Sequence, residues 1–194
     1  MKKYHIPTAK YETFTDMDKA LAYIDEQGAP IVVKADGLAL GKGVVVASTV
    51  DEAKTAVREM MADHKFGQSG STVVIEECRV GPEVTVLAFC DGEHLVPMLS
   101  SQDHKRAYDG NLGPNTGGMG AFCPSPKYTP EIAQECMEKI FLPTVAALKA
   151  EGRPFKGVIY FGLMLTKDGP KVVEYNARDP APAVHAGQRP DGHL

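Results

Sequence analysis

One stretch limits the folds open to this chain more than any other: residues 31–47, IVVKADGLALGKGVVVA. Two short β-branched runs, 31–34 and 44–47, flank a loop with three glycines and a lysine. Val and Ile are stiff at the first side-chain torsion and fit a pleated surface, so both runs predict strands. The loop must then turn the chain back on itself. Gly37, Gly41 and Gly43 let bare backbone N–H groups approach an anion closely. Lys34 at the end of the first strand and Lys42 inside the loop add positive charge. The pattern suits a flap over phosphate groups. It is not a Walker A loop, which needs four residues between its glycines, a Ser or Thr after the lysine, and a helix next. Here three residues intervene, Gly43 follows Lys42, and a strand comes next. Phosphate at a helix N-terminus is therefore not the geometry. The other reading of the same residues is a glycine-rich surface hairpin with solvated lysines.

With 194 residues the chain makes one large domain or two small ones. A net charge of −4 marks neither a nucleic-acid binder nor a membrane-surface binder. No apolar run approaches the roughly 18 residues of a spanning helix. The opening MKKYHIPTAKYETF has no apolar core after its lysines and does not read as a signal peptide. Cys78, Cys90, Cys123 and Cys136 form no CxxC pair, and predict reduced, mostly buried thiols of a cytoplasmic protein.

Taken in order, residues 16–27 have helical spacing through Met17, Leu21 and Ile24, with Thr15 or Asp16 as cap and Gly28 as stop. Thr49 followed by Glu52 is a capping-box pattern that starts a second helix, ending near residues 63–64. Residues 72–75 predict a strand running into Glu76 and Glu77, which could offer backbone groups to a base edge and a carboxylate to a ribose. Residues 83–89 alternate as a strand, Asp91-Gly92 fits a tight hairpin turn, and 95–98 pair back. Residues 100–128 have no period. They hold Asp103, His104, Lys105, Arg106 and Asp109 among many glycines, and read as a substrate-binding loop or a disordered insertion. A long helix follows Thr129-Pro130-Glu131, with Pro143 placed to kink it and Gly152 to end it. Residues 156–166 and 170–176 form a last hairpin about Asp168-Gly169. Glu174 and Asn176 are two apart on its return strand and share a face. A carboxylate and an amide oxygen there suit a hard cation such as magnesium, or simply a polar exposed face. Arg178 stands ready to neutralise phosphate oxygens.

Together these pieces describe a nucleotide held between two sheets, and the arrangement resembles the ATP-grasp fold. The runs VVKADGLALGKGVVVA, VVIEE, LVPMLSSQDHKRAYDGNLGPNTGGMGAF and GVIYFGLMLTKDGPKVVEYNAR resemble the glycinamide ribonucleotide synthetase family, the phosphoribosylamine–glycine ligases. The likeness covers about residues 1–178. It implies an α+β ATP-grasp fold: a small lid subdomain at 1–75, part of a larger antiparallel-sheet subdomain at 76–178, and an atypical tail at 179–194. It implies an ATP-dependent ligase that joins glycine to 5-phosphoribosylamine through a glycyl phosphate, in purine biosynthesis, with Mg2+ or Mn2+. The family pattern puts Lys34, Gly37, Gly41, Lys42 and Gly43 on the phosphates, and Glu76, Glu77 and Glu83 around adenine and ribose. It makes Glu174 and Asn176 the metal ligands. Asp103, Asn115, Thr116 and Gly117 fall on the substrate side, with Lys105, Arg106 and Arg178 stabilising the reacting charges. Small molecules are the implied partners, not nucleic acid or membrane, and the full-length enzymes are expected to be monomers. Family members carry a preceding domain and a completing C-terminal domain. This chain is expected to begin in the connector between, and its Pro/Gly-rich tail to reflect a shifted frame or a truncation. The alternatives are a catalytically incomplete nucleotide-binding fragment and another ATP-grasp carboxylate–amine ligase.

Overall fold

The computed structural model describes residues 1–37, 43–62, 70–110, 112–116 and 118–178, with the backbone alone at Arg106, Pro114, Asn115 and Arg178. The chain divides into two compact units: Ala9–Arg79, and Met1–Thr8 together with the chain from Val80 onward. The division falls four residues after the expected 75/76 break, and it gives the first eight residues to the larger unit. The reason is local. Thr8 bridges Val172 in parallel, Pro7 O accepts from Val172 N–H at 2.8 Å, and Ile6 is buried in the larger unit's core.

The smaller unit runs β1 (Tyr11–Phe14), α1 (Met17–Gln27), β2 (Ile31–Ala35), β3 (Val44–Ala47), α2 (Val50–Met61) and β4 (Val73–Glu77). Its strands form one antiparallel sheet in the order β1-β4-β2-β3. Asp16 caps α1 by accepting from Lys19 N–H, and Gly28 ends it at φ 74°. The capping box of Thr49 and Glu52 is complete. Ile31, Val33, Val73 and Ile75 face the helices and pack on Ala20, Ile24, Ala53, Val57 and Met60, all buried. Fully burying one such aliphatic side chain is worth about 2 kcal/mol.

The larger unit contains β5 (Glu83–Cys90), β6 (Leu95–Pro97), β7 (Gln102–Asp103), β8 (Arg106–Tyr108), β9 (Leu112–Asn115) and β10 (Ala121–Phe122). Then come α3 (Pro130–Cys136), a π turn at Met137–Phe141, α4 (Leu142–Ala150), β11 (Gly157–Thr166) and β12 (Gly169–Arg178). The main sheet is antiparallel in the order β12-β11-β5-β6. Val86, Ala88, Ile159, Phe161, Leu163 and Val172 cover one face and meet Cys136, Ile140, Phe141 and Val145 from the helices.

Three expectations change. The Asp91-Gly92 turn is a four-residue loop between Cys90 and Leu95, because the Asp91 carboxylate accepts from the N–H groups of Glu93 and His94 and rounds the bend itself. The long helix widens into the π turn just before Pro143, where Leu142 N–H reaches back to Met137 O. Proline cannot donate to the residue four back and its ring crowds that carbonyl, so the ladder slips by one. Within residues 100–128, read from the sequence as a substrate-binding loop or a disordered insertion, the described residues include two small two-stranded ladders, β10-β7 and β8-β9. The four cysteines are free thiols: Cys90 and Cys136 are buried, Cys78 is partly buried and Cys123 is exposed. Burial raises the Cys136 thiol to about 11, so it is inert at neutral pH. No helix among the described residues is long and apolar enough to cross a membrane.

Candidate functional site

Each sheet has helices on one face and leaves the other open. In the smaller unit the register puts Val32, Lys34, Val44, Val46, Val74 and Glu76 on the open face. Val44 and Val46 are about half exposed, an apolar shelf of the kind a flat ring can cover. Beside it the Lys34 ammonium lies 2.9 Å from the Glu76 carboxylate, with the Arg79 guanidinium 3.4 Å away on the same oxygen. These side chains are mostly buried, so the charges hold one another in place. The family pattern sets Lys34 on phosphate and Glu76 near the adenine and ribose, on different parts of a ligand. The structure pairs them, and it adds Arg79, three residues beyond Glu76. Glu77 projects to the opposite face beside Ile31, because neighbours on a strand alternate. Glu76 and Glu77 therefore do not line one surface. Gly37 follows β2, and Gly43 closes the hairpin by accepting from Ala35 N–H at 2.8 Å. Gly41 and Lys42 lie outside the described residues.

The open face of the larger unit carries Glu83 and Thr85 from β5, Tyr160, Gly162 and Met164 from β11, and Glu174 and Asn176 from β12. A cleft of about 710 Å³ opens along it, walled by Glu83, Thr85, Asp103, His104, Lys105 and Met164. Gln102, Asp103, His104, Lys105 and Phe122 form its other wall, and the chain just before them is sewn to β5 by two 2.8 Å backbone bonds between Thr85 and Ser101. The Lys105 ammonium makes an ion pair with Glu83 across the cleft floor. Burial disfavours its charge, but the hydrogen bond and charge of Glu83 outweigh this and hold its pKa above the ordinary lysine value. Thr116 accounts for where Lys105 sits. Its N–H and its hydroxyl both donate to Lys105 O, at 2.7 and 2.9 Å, and the hydroxyl accepts from Gly118 N–H. Thr116 thus braces the wall. Asp103 pairs with Ala121 in the β10-β7 ladder and is exposed at the cleft. The Arg106 and Asn115 backbones pair in the β8-β9 ladder, and the Arg178 backbone pairs with Val158. Gly117 lies outside the described residues.

Sequence reasoning missed Thr85 and Tyr160, whose hydroxyls meet at 3.0 Å on the open face. The period-2 spacing of Glu83 with Thr85, and of Tyr160 with Gly162, is the signal that could have found them.

Among the described residues no three His, Cys, Asp or Glu side chains gather into a metal cage. Glu174 and Asn176 still supply two hard oxygen donors on one face, which fits a partial shell completed by phosphate oxygens and water. Glu174 is exposed, and its stem lies over Gly162, where a β-carbon would come within 2.9 Å of it. The donor set and this cradle suit a small divalent cation.

Two α+β units, each an antiparallel sheet with helices on one face and polar groups on the other, define an ATP-grasp domain. A biotin carboxylase from Campylobacter jejuni superposes with a TM-score of 0.70 over 91% of this chain and 38% of its own, at 15% identity, a likeness of fold alone. More narrowly, the chain belongs to the phosphoribosylglycinamide synthetase family, whose ATP-grasp (A) domain matches residues 1–184. It is 57% identical over 178 residues to a phosphoribosylamine–glycine ligase of Streptococcus pyogenes serotype M1, covering 92% of this chain and 42% of that protein. The crystal structure of the Thermotoga maritima phosphoribosylamine–glycine ligase matches with a TM-score of 0.82 and 35% identity, over 92% of this chain and 45% of its own. The chain thus spans less than half the length of these relatives.

Proposed function

We propose that this chain is the ATP-grasp portion of a phosphoribosylamine–glycine ligase, working in the cytoplasm on ATP, glycine and 5-phosphoribosylamine with Mg2+ or Mn2+. The observation that carries the reading is the family match across residues 1–184, joined to an open sheet face that presents Glu174, Asn176 and the Lys105–Glu83 pair. ATP with its cation supplies a phosphoryl group that turns the glycine carboxylate into an acyl phosphate, so that amine attack can expel phosphate. The protein's task is to position the reactants and neutralise charge. Glu174 and Asn176 would hold the cation. Lys105, kept protonated by Glu83, would meet developing negative charge on the transferring phosphoryl or the acyl oxygen, together with Arg106 and Arg178. Lys34 and the 37–43 glycines would meet the polyphosphate, and Val44 and Val46 would lie against the base. Asp103, Asn115, Thr116 and Gly117 would serve the amine-substrate side. Nothing in this scheme asks for a side-chain nucleophile.

A second reading is that these residues, which cover 42% of the relative's length, would bind the nucleotide without completing the ligation by themselves. Isothermal titration with Mn2+ and ATP, beside an assay for glycinamide ribonucleotide, separates the two. Binding with product supports a competent ligase, and binding without product supports the incomplete portion. Mn2+ and ATP affinities unchanged in Glu174→Ala would remove the metal assignment from both.

A further inference from the structure

Strand β12 faces the site only because of an irregularity in it. The register with β11 runs Phe161↔Tyr175 and Gly162↔Glu174, then jumps to Leu163↔Val172, which leaves Val173 unpaired in a bulge. Val172 and Leu163 are both fully buried on the helix side. Strict alternation counted on from Val172 would send Tyr175 to the open face and would bury Glu174 and Asn176. The bulge reverses this parity. Tyr175 packs inward against Phe161, ring centroids 5.6 Å apart, and Glu174 emerges exposed. The bulge is pinned from outside as well. Val172 N–H donates to Pro7 O at 2.8 Å, and Thr8 Oγ1 donates to Val172 O at 2.9 Å.

Opposite the bulge stands Gly162. Its backbone is not in the left-handed region, so conformation alone does not demand glycine there. Space does. A β-carbon at Gly162 would lie 2.9 Å from Glu174 Cγ and 3.2 Å from Tyr160 Cε1. The first distance is shorter than real side chains tolerate, so any larger residue must lift the Glu174 stem off the sheet.

We infer that Gly162 and the Val173 bulge act together as positioning features that lay the Glu174 side chain flat across β11 and so fix where its carboxylate meets the cation. The inference rests on the metal reading above and adds residues that touch no ligand themselves. Metal sites require donor distances within about 0.2 Å, so a stem displaced by a methyl group loses its place. Residues that orient a ligand typically matter by tenfold or more in affinity.

The test uses Gly162→Ala, Glu174→Ala and the double variant of the 194-residue chain. Mn2+ binding in the presence of ATP is read by electron paramagnetic resonance, and stability by thermal unfolding. Gly162→Ala should weaken Mn2+ binding on the order of tenfold with unchanged circular dichroism. It should lower Tm by about 3 °C when Glu174 is present, and clearly less in the Glu174→Ala background, where the 2.9 Å contact is gone. A glycine needed only for folding would show the same loss in both backgrounds. Equal Tm losses, or wild-type Mn2+ affinity in Gly162→Ala, would overturn the inference. If Gly162→Ala does not fold, folding restored in the double variant supports the inference and failure of both sinks it. Unchanged Mn2+ affinity in Glu174→Ala marks instead the failure of the metal reading on which it stands.

Discussion

Tyr175 sits between Glu174 and Asn176 and points the other way, so its anchorage helps to decide where both of them face. The phenol lies 2.9 Å from Thr144 Oγ1, and that hydroxyl also lies 2.6 Å from Ile140 O. A carbonyl cannot donate, so the single Thr144 proton goes to Ile140. The Tyr175 hydroxyl must then donate to Thr144. This assignment makes the two deletions unequal. Thr144→Val leaves a largely buried phenol O–H with no acceptor and costs the full desolvation of a donor, about 2 kcal/mol. Tyr175→Phe leaves only an acceptor lone pair unfilled and costs about 1 kcal/mol. The double variant removes both partners and should cost less than the two losses summed, with a coupling of about 1 kcal/mol. Urea unfolding followed by circular dichroism reads all three. Burial holds the Tyr175 phenol above its ordinary pKa. Equal costs for the two single variants, or strict additivity in the double, would refute the proton assignment and the anchoring role drawn from it.

Two further outcomes are expected. His94 is held above its ordinary value of 6.5 by its hydrogen bond to Asp91, and Asp91 is held well below 3.8 by the N–H groups of His94 and Glu93 and by the His94 ring. The histidine contribution to the β5–β6 loop is full below about pH 6.5 and is lost as pH rises through the raised value. The aspartate contribution is full above about pH 4 and is lost as pH falls through the lowered one. A proton NMR titration should place His94 above 6.5, and Asp91→Asn should bring it back; no movement would contradict the pairing. Thr49→Ala breaks the capping box of α2 and should cost about 1 kcal/mol, read as earlier amide exchange in that helix, while Thr55→Ala on the same helix serves as an uncapped comparison.

Much of this fold is legible because its signals are local. Asp16, Thr49 and Gly28 mark helix ends through single hydrogen bonds or a single backbone angle, and all three mark them here. The β-branched runs at 31–35 and 44–47 leave little besides strand to choose from. Less legible are features that depend on partners far along the chain. The bulge at Val173 is set by Phe161 and Leu163 on the next strand, and nothing in VVEYN announces it. The ladders within 100–122 are too short for any period to emerge. At the candidate site, residue types were readable but their pairings were not. Glu83 and Lys105 lie 22 positions apart, and only the folded sheet brings them together. Lys34 with Glu76 is the same case across two strands.

The clasp of Thr8 on Val172 has a consequence for the order of synthesis. The two residues are 164 positions apart. At ordinary translation rates the first must wait on the order of ten seconds or more for its partner to be made. The segment Ala9–Arg79 is contiguous, and Lys10 O accepts from Glu77 N–H at 2.9 Å, so it closes on itself soon after it emerges. A nascent chain would thus carry a folded inner module while residues 1–8 still await Val172. Strand β12, made long after residues 1–8, completes their attachment, and a ribosome stalled before residue 172 would hold the smaller unit folded and the larger one open.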